Sequence, residues 1–222
     1  MHKSLQNLRF VENKVNELIN KKQLKINPKI IVISKTFSLE KIKPLLENNH
    51  VHFGENKIQE AENKWKSIKK NSRNLQLHMV GKLQSNKAKK AVVLFDYIHS
   101  LDNKKLALKL YQHEKELNKK CKFFIQVNLA EEDQKSGIML NSLSDFYKYC
   151  TSELSLNIIG LMCLPPANSK SDKFFKLLKK TAEQLNLKDL SMGMSSDYEQ
   201  AILNGSTYLR LGTIILGQRN FN

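Results

Sequence analysis

The chain has 222 residues, 41% apolar and 26% charged, which fits a soluble globular domain with a substantial core and excludes a disordered or fibrous polymer. Basic residues outnumber acidic ones by 37 to 21, for a net charge of +16. The excess is scattered over pairs such as Lys21-Lys22, Lys89-Lys90 and Lys179-Lys180, without an interleaved aromatic platform. It therefore reads as solvated surface with weak polyanion binding as a side effect, and excludes a specific nucleic-acid partner.

An amphipathic helix opens the chain over roughly Leu5 to Asn20, where a signal peptide would carry a hydrophobic core. Ile30-Ile-Val-Ile33 is a buried strand, followed by a helix from Leu39 to Asn48. Val51–Phe53 is the second strand and Asn56–Ile68 the next helix. The alternation continues with strand Leu75–Val80, helix Ser85–Val93, strand Tyr97–His99 and helix Asn103–Leu117. Strand Lys122–Asn128, helix Leu143–Cys150, strand Asn157–Met162 and helix Asp172–Leu185 follow. Strand Asp189–Met192, a helix over Tyr198–Leu203 and strand Thr207–Leu211 close the chain. About eight βα units in a chain of this size predict a single (β/α)8 TIM-type barrel with an extra N-terminal helix, occupying residues 1–222 as one domain. No GxGxxG follows the first strand, which counts against a dinucleotide-binding sheet. No apolar run approaches the roughly 18 residues of a membrane span. Cys121, Cys150 and Cys163 are an odd set without metal-ligand spacing, the usage of reduced thiols in a cytoplasmic protein.

In such a barrel the residues after each strand gather on one rim and form the site. Strands seven and eight end in Ser191-Met-Gly-Met-Ser195-Ser-Asp197 and Arg210-Leu-Gly212-Thr213, small hydrogen-bonding loops of the kind that bind a phosphate. Arg210 is one of only four arginines and sits inside an apolar run, so it has a specific partner. Lys35 follows four β-branched residues, so its stem leaves the barrel wall and its amine points to the same rim. A partly desolvated lysine there favours the neutral nucleophile that condenses with an aldehyde. Taken alone, in a lysine-rich chain, Lys35 reads as a surface lysine just past a strand. An amine opposite a phosphate cradle instead describes a pyridoxal 5′-phosphate site, with Arg210 facing either the pyridine nitrogen or the phosphate. His78 and His99 lie in strand-like runs without a partner at metal spacing and read as core or hydrogen-bonding histidines. Cys163 has no basic neighbour along the sequence and reads as structural, while Met192 and Met194 read as packing under their loop.

These stretches resemble the pyridoxal phosphate homeostasis proteins, relatives of the alanine racemase N-terminal domain. The matching residues are Ile33-Ser34-Lys35-Thr36, Phe53-Gly54-Glu55-Asn56 with Gln59-Glu60, and His78-Met-Val-Gly81 through Lys87. Gln126-Val127-Asn128, Gly160-Leu-Met162, Ser191 to Asp197, and Gly205 to Arg219 continue the series in order. The resemblance implies the barrel of pyridoxal phosphate fold type III with the cofactor held as a Schiff base on Lys35. It also implies phosphate contacts from Ser195, Gly212 and Thr213, with Arg210 beside the cofactor and Asn56 lining the pocket. Lys57 and Lys82 stand where aromatic and histidine residues are common in the family. The expected role is a non-catalytic, cytoplasmic, monomeric carrier that buffers vitamin B6 cofactor and passes it to apoenzymes. The alternative is an amino-acid racemase of the same barrel type. The chain stops after its eighth unit, so the second domain with the racemase tyrosine is expected to be absent.

Overall fold

Strand parity decides which side chains fill the barrel and which face the helices. The computed structural model describes residues 2–72, 74–132, 134–166 and 169–218. Its strands are β1 (Lys29–Ile33), β2 (His52–Glu55), β3 (Gln76–Met79), β4 (Tyr97–Leu101), β5 (Lys122–Gln126), β6 (Ile158–Met162), β7 (Asp189–Ser191) and β8 (Tyr208–Leu211). All pair in parallel and in sequence order, and β8 returns to β1, so the predicted barrel is closed. Within β1, Ile31 and Ile33 point inward to meet Tyr97, Phe124, Met162 and Tyr208. Ile30 and Val32 point outward into the larger core between strands and helices, with Phe53, Leu77 and Phe123. Strands apolar on both faces are what a parallel barrel requires.

The helices are α1 (Lys3–Lys22), α2 (Leu39–Glu47), α3 (Ile58–Asn71), α4 (Ala88–Leu94), α5 (Lys104–Glu116), α6 (Leu140–Lys148), α7 (Ser171–Gln184), α8 (Tyr198–Leu203) and α9 (Thr213–Leu216). The extra helix α1 buries Leu5, Leu8, Val11 and Val15 along one stripe and packs on α2, α8 and α9. Asn7 Nδ2 donates to Ile215 O at 2.9 Å and ties α1 to the last turn of chain. Among the described residues, no helix is long and apolar enough to cross a membrane.

Three local differences from the sequence reading have physical causes. The fifth strand stops at Gln126, because the Asn128 side chain turns to donate to Glu132 O at 2.8 Å. Thr151 Oγ1 donates to Tyr147 O at 2.9 Å, and α6 runs into a π-helical turn over Tyr149–Glu153 that buries Cys150. The short α9 is unannounced, since four residues are too few to show periodicity.

Two seams are unequal. Between β6 and β7, Gly160 lies opposite Asp189, and a Cβ there would stand 2.0 Å from Asp189 O. Backbone cannot move aside as a flexible side chain would. Gly160→Ala is therefore expected to cost about 3 kcal/mol, the upper end for overpacking, seen as a lower urea midpoint with an unchanged slope. The β7–β8 seam has one register pair, Ser191 with Tyr208. Side chains reinforce it: Ser206 Oγ donates to Met192 O at 2.7 Å, and Thr207 Oγ1 accepts from Leu190 N at 2.8 Å.

Candidate functional site

The six residues picked from the sequence, Lys35, Asn56, Ser195, Arg210, Gly212 and Thr213, all line one cavity of about 440 Å³ at the C-terminal ends of the strands. Ile33, Val80, Leu164 and Met194 supply apolar wall, and Ser196 completes the lining. Met192 is buried as expected, whereas Met194 is exposed to this cavity and does not pack under the loop. Gly193 explains the difference: its φ is +91°, and a Cβ would come 2.6 Å from the Ala201 side chain, so the loop turns sharply over α8.

The two loops are built to leave donors unused. Asp197 closes the first by accepting from Met194 N at 2.7 Å and donating its own amide to Met194 O at 3.1 Å. Ile214 N donates to Ser195 Oγ at 3.4 Å and links that loop to the one after β8. Among the described residues, no hydrogen bond engages the amides of Ser195, Ser196, Gly212 or Thr213. Four such donors beside a cavity are suited to an anion.

Arg210 is 4% exposed, yet it meets neutral acceptors. Its Nη1 donates to Ser191 Oγ at 2.7 Å and its Nη2 to Cys163 O at 2.9 Å. Burial lowers its pKa, opposed by Cys163 and Asp197. Arg210 thus corrects the reading of Cys163 as lacking a basic neighbour. The thiol is nonetheless pushed up to about 12, because burial outweighs the guanidinium beside it.

Behind Arg210 runs a file of histidines along the barrel interior. His99 Nδ1 lies 2.8 Å from Ser191 Oγ, His78 Nδ1 2.9 Å from His99 Nε2, and His52 Nδ1 3.0 Å from His78 Nε2. An arginine only donates, so Ser191 Oγ accepts from it and passes its own proton toward His99 Nδ1. Each imidazole then carries its proton on Nε2 and donates to the next, which satisfies the whole file with neutral rings. Burial depresses His78 and His99 well below the ordinary 6.5, and His52 to about 4. Tyr97 stacks on His78 and Phe124 on His99, each at 4.3 Å between centroids. His78 and His99 are therefore hydrogen-bonded core histidines, as the sequence indicated.

With this geometry in hand, the comparisons are specific. The family described as alanine racemase, N-terminal domain, matches residues 6–220. A pyridoxal phosphate homeostasis protein of Pasteurella multocida is 32% identical, covering 98% of each chain. One from Synechocystis is 37% identical over 86% of this chain and 91% of its own. The chain belongs to the pyridoxal phosphate homeostasis protein family. A solved structure of PipY from Synechococcus elongatus with pyridoxal phosphate bound superposes with a TM-score of 0.79 at 32% identity, covering 91% of this chain and all of that one.

Most of the stretches that suggested the pyridoxal phosphate homeostasis family converge on this rim, while Arg219 lies outside the described residues. Sequence reading missed the connection from Arg210 through Ser191 to the histidines. The partners come from strands eight, seven, four, three and two, and their contact depends on register around the barrel. The only advance signal was shared inward parity.

Proposed function

We propose that this protein binds pyridoxal 5′-phosphate in the rim cavity and serves intracellular homeostasis of that cofactor, without turning over a substrate. The carrying observation is one cavity that joins a lysine amine, four unengaged backbone amides and a buried guanidinium short of acceptors. The donor set suits the group. A phosphate needs several N–H and O–H donors, which the Ser195–Ser196 and Gly212–Thr213 segments offer with their hydroxyls. Ile33, Val80 and Leu164 offer apolar surface for a planar ring, and the volume lies within the roughly 300–1,000 Å³ of small-molecule sites. Arg210 has donors left for a ring nitrogen or phosphate, and Asn56 lines the same cavity. When bound, the cofactor supplies an aldehyde that condenses reversibly with an amine and a ring that withdraws electrons.

What the chain contributes is holding. Lys35 presents its amine, the loops neutralise the phosphate, and the wall limits water. Among the described lining residues, Lys35 carries the one side-chain amine and Arg210 stays charged, whereas racemisation needs a second proton-transfer group on the other face. The relatives' names point the same way. In this reading the chain works as one domain and one monomer in the cytoplasm, and its partners are apoenzymes that receive the cofactor.

Purified protein mixed with pyridoxal 5′-phosphate should develop the absorbance of an imine, and borohydride should fix the label on the peptide carrying Lys35. Label recovered at full stoichiometry only on other lysines, or no spectral change at saturating cofactor, contradicts the reading.

A further inference from the structure

Lys35 stands between two residues that are tied down from outside the cavity. On its N-terminal side Ser34 is fully buried. Ser34 Oγ donates to Glu55 Oε1 at 2.7 Å, and Ser34 O accepts from Lys64 Nζ at 2.7 Å. On its C-terminal side the Thr36 amide donates to Glu60 Oε1, and Thr36 Oγ1 donates to Lys35 O at 2.5 Å. The anchors are themselves joined. Lys64 Nζ lies 2.9 Å from Glu55 Oε1 and 3.1 Å from Glu60 Oε1, and Trp65 Nε1 donates to Glu55 Oε1 at 2.9 Å. Glu55 is completely buried at the end of β2, while Glu60, Lys64 and Trp65 come from α3.

Thr36 holds a φ of +66°. A β-branched residue in the left-handed region costs of the order of 1–3 kcal/mol and persists only where its surroundings over-determine it. Here the over-determination is visible: a carboxylate on one helix grips the strained amide, and the same helix's lysine grips the carbonyl two residues earlier. The same segment is a tight turn closed by Phe37 N donating to Ser34 O at 3.2 Å, which puts Thr36 at its third position, where a positive φ is called for. The segment that gains from it is the one carrying the amine into the cavity.

We propose that Glu60 is a positioning residue for Lys35, clamping Thr36 in its strained conformation through a hydrogen bond so that the lysine amine meets an aldehyde at the right angle. This rests on the functional reading above and names the part of the chain that makes Lys35, among many lysines, the reactive one. Glu60 is not among the residues lining the cavity, so its loss should leave recognition of the rest of the ligand alone.

The test separates capture from recognition. Wild type, Glu60→Ala and Glu60→Gln are mixed with pyridoxal 5′-phosphate, and the rate of imine formation is read by absorbance. The affinity of each for pyridoxine 5′-phosphate, which has the same ring and phosphate but no aldehyde, is read by calorimetry. Glu60→Ala should slow capture about ten- to a hundredfold, the scale of a small misplacement of a reacting group, with pyridoxine 5′-phosphate affinity within about twofold. Glu60→Gln keeps an acceptor oxygen for the Thr36 amide and should recover most of the rate. An unchanged rate in Glu60→Ala, parallel loss of both ligands, or a Glu60→Gln as slow as Glu60→Ala would overturn the proposal. Failure of wild-type protein to be labelled at Lys35 would instead overturn the functional reading, so the two failures are distinguishable.

Discussion

Between pH 7 and pH 5 the protein is expected to lose a large part of its stability, measured as a falling urea midpoint, with little change between pH 7 and pH 8. The cause is the set of histidines kept neutral by burial. His50 and His52 are held down to about 4, and His78 and His99 well below 6.5, with desolvation the leading cause for each. Neighbouring cations press the same way: Lys29 and Lys122 on His52, Lys29 and Lys69 on His78, and Arg210 on His99. Asp96 opposes this weakly at His52. In the unfolded chain these imidazoles take up protons once the pH drops below about 6.5, while the folded chain refuses them until about 4 or lower. The unfolded state therefore binds more protons across that window, and stability falls as pH falls through it. Each histidine contributes up to about 1.4 kcal/mol per pH unit. Together they amount to on the order of 5 kcal/mol by pH 5, a large share of the roughly 5–15 kcal/mol of an ordinary domain. Glu12, Asp102 and Glu114 have raised pKa values through burial and pull the other way at the acid end. A midpoint constant from pH 7 to pH 5 would contradict the neutral file.

Replacing Arg210 with methionine should make the unliganded protein more stable and the liganded one weaker. The guanidinium is buried against a hydroxyl and a carbonyl, and among the described residues no carboxylate lies in ion-pair range. Burying a charge with so little compensation costs several kcal/mol, and an apolar side chain of similar length removes that cost. Part of the gain is returned because Cys163 O loses its donor, about 1 kcal/mol. The net expected gain is about 1–3 kcal/mol, with the melting temperature rising by roughly 2–4 °C per kcal/mol for a domain of this size. Affinity for pyridoxal 5′-phosphate should fall about ten- to a hundredfold, the worth of one charge-assisted hydrogen bond. A lower melting temperature in Arg210→Met without ligand would show that Arg210 is a structural keystone and not a group held ready for a ligand.

The barrel was readable because runs such as Ile30–Ile33 and Lys122–Gln126 are apolar on both faces and alternate with amphipathic helices such as α5 and α7. Five of the rim residues were readable because they lie past a strand end, and Arg210 because it interrupts the apolar run of β8. Chain order did not show what lies across the barrel. Glu60 and Lys64 have the i, i+4 spacing of an ordinary surface ion pair, and only the fold reveals that they reach Ser34 and Thr36. The same holds for Ser191, one polar residue in a short strand, which proves to link Arg210 to His99. Arg210 itself was marked as needing a partner, but a backbone carbonyl such as that of Cys163 leaves no trace in the identity of a residue.

The single register pair between β7 and β8 has a dynamic consequence. Past that pair the two strands stay joined by Met192 N donating to Tyr208 O at 3.2 Å and Arg210 N to Gly193 O at 3.0 Å, so the seam is carried by loop backbone as much as by regular ladder. That seam carries, at its upper end, both loops whose amides stand unengaged. A ligand gripped by the two loops acts as a clasp across the gap, and its binding energy adds to the work of prising the staves apart. Binding is therefore expected to slow amide exchange along β7 and β8. Without a ligand those two strands are expected to exchange faster, most of all toward the mouth of the cavity.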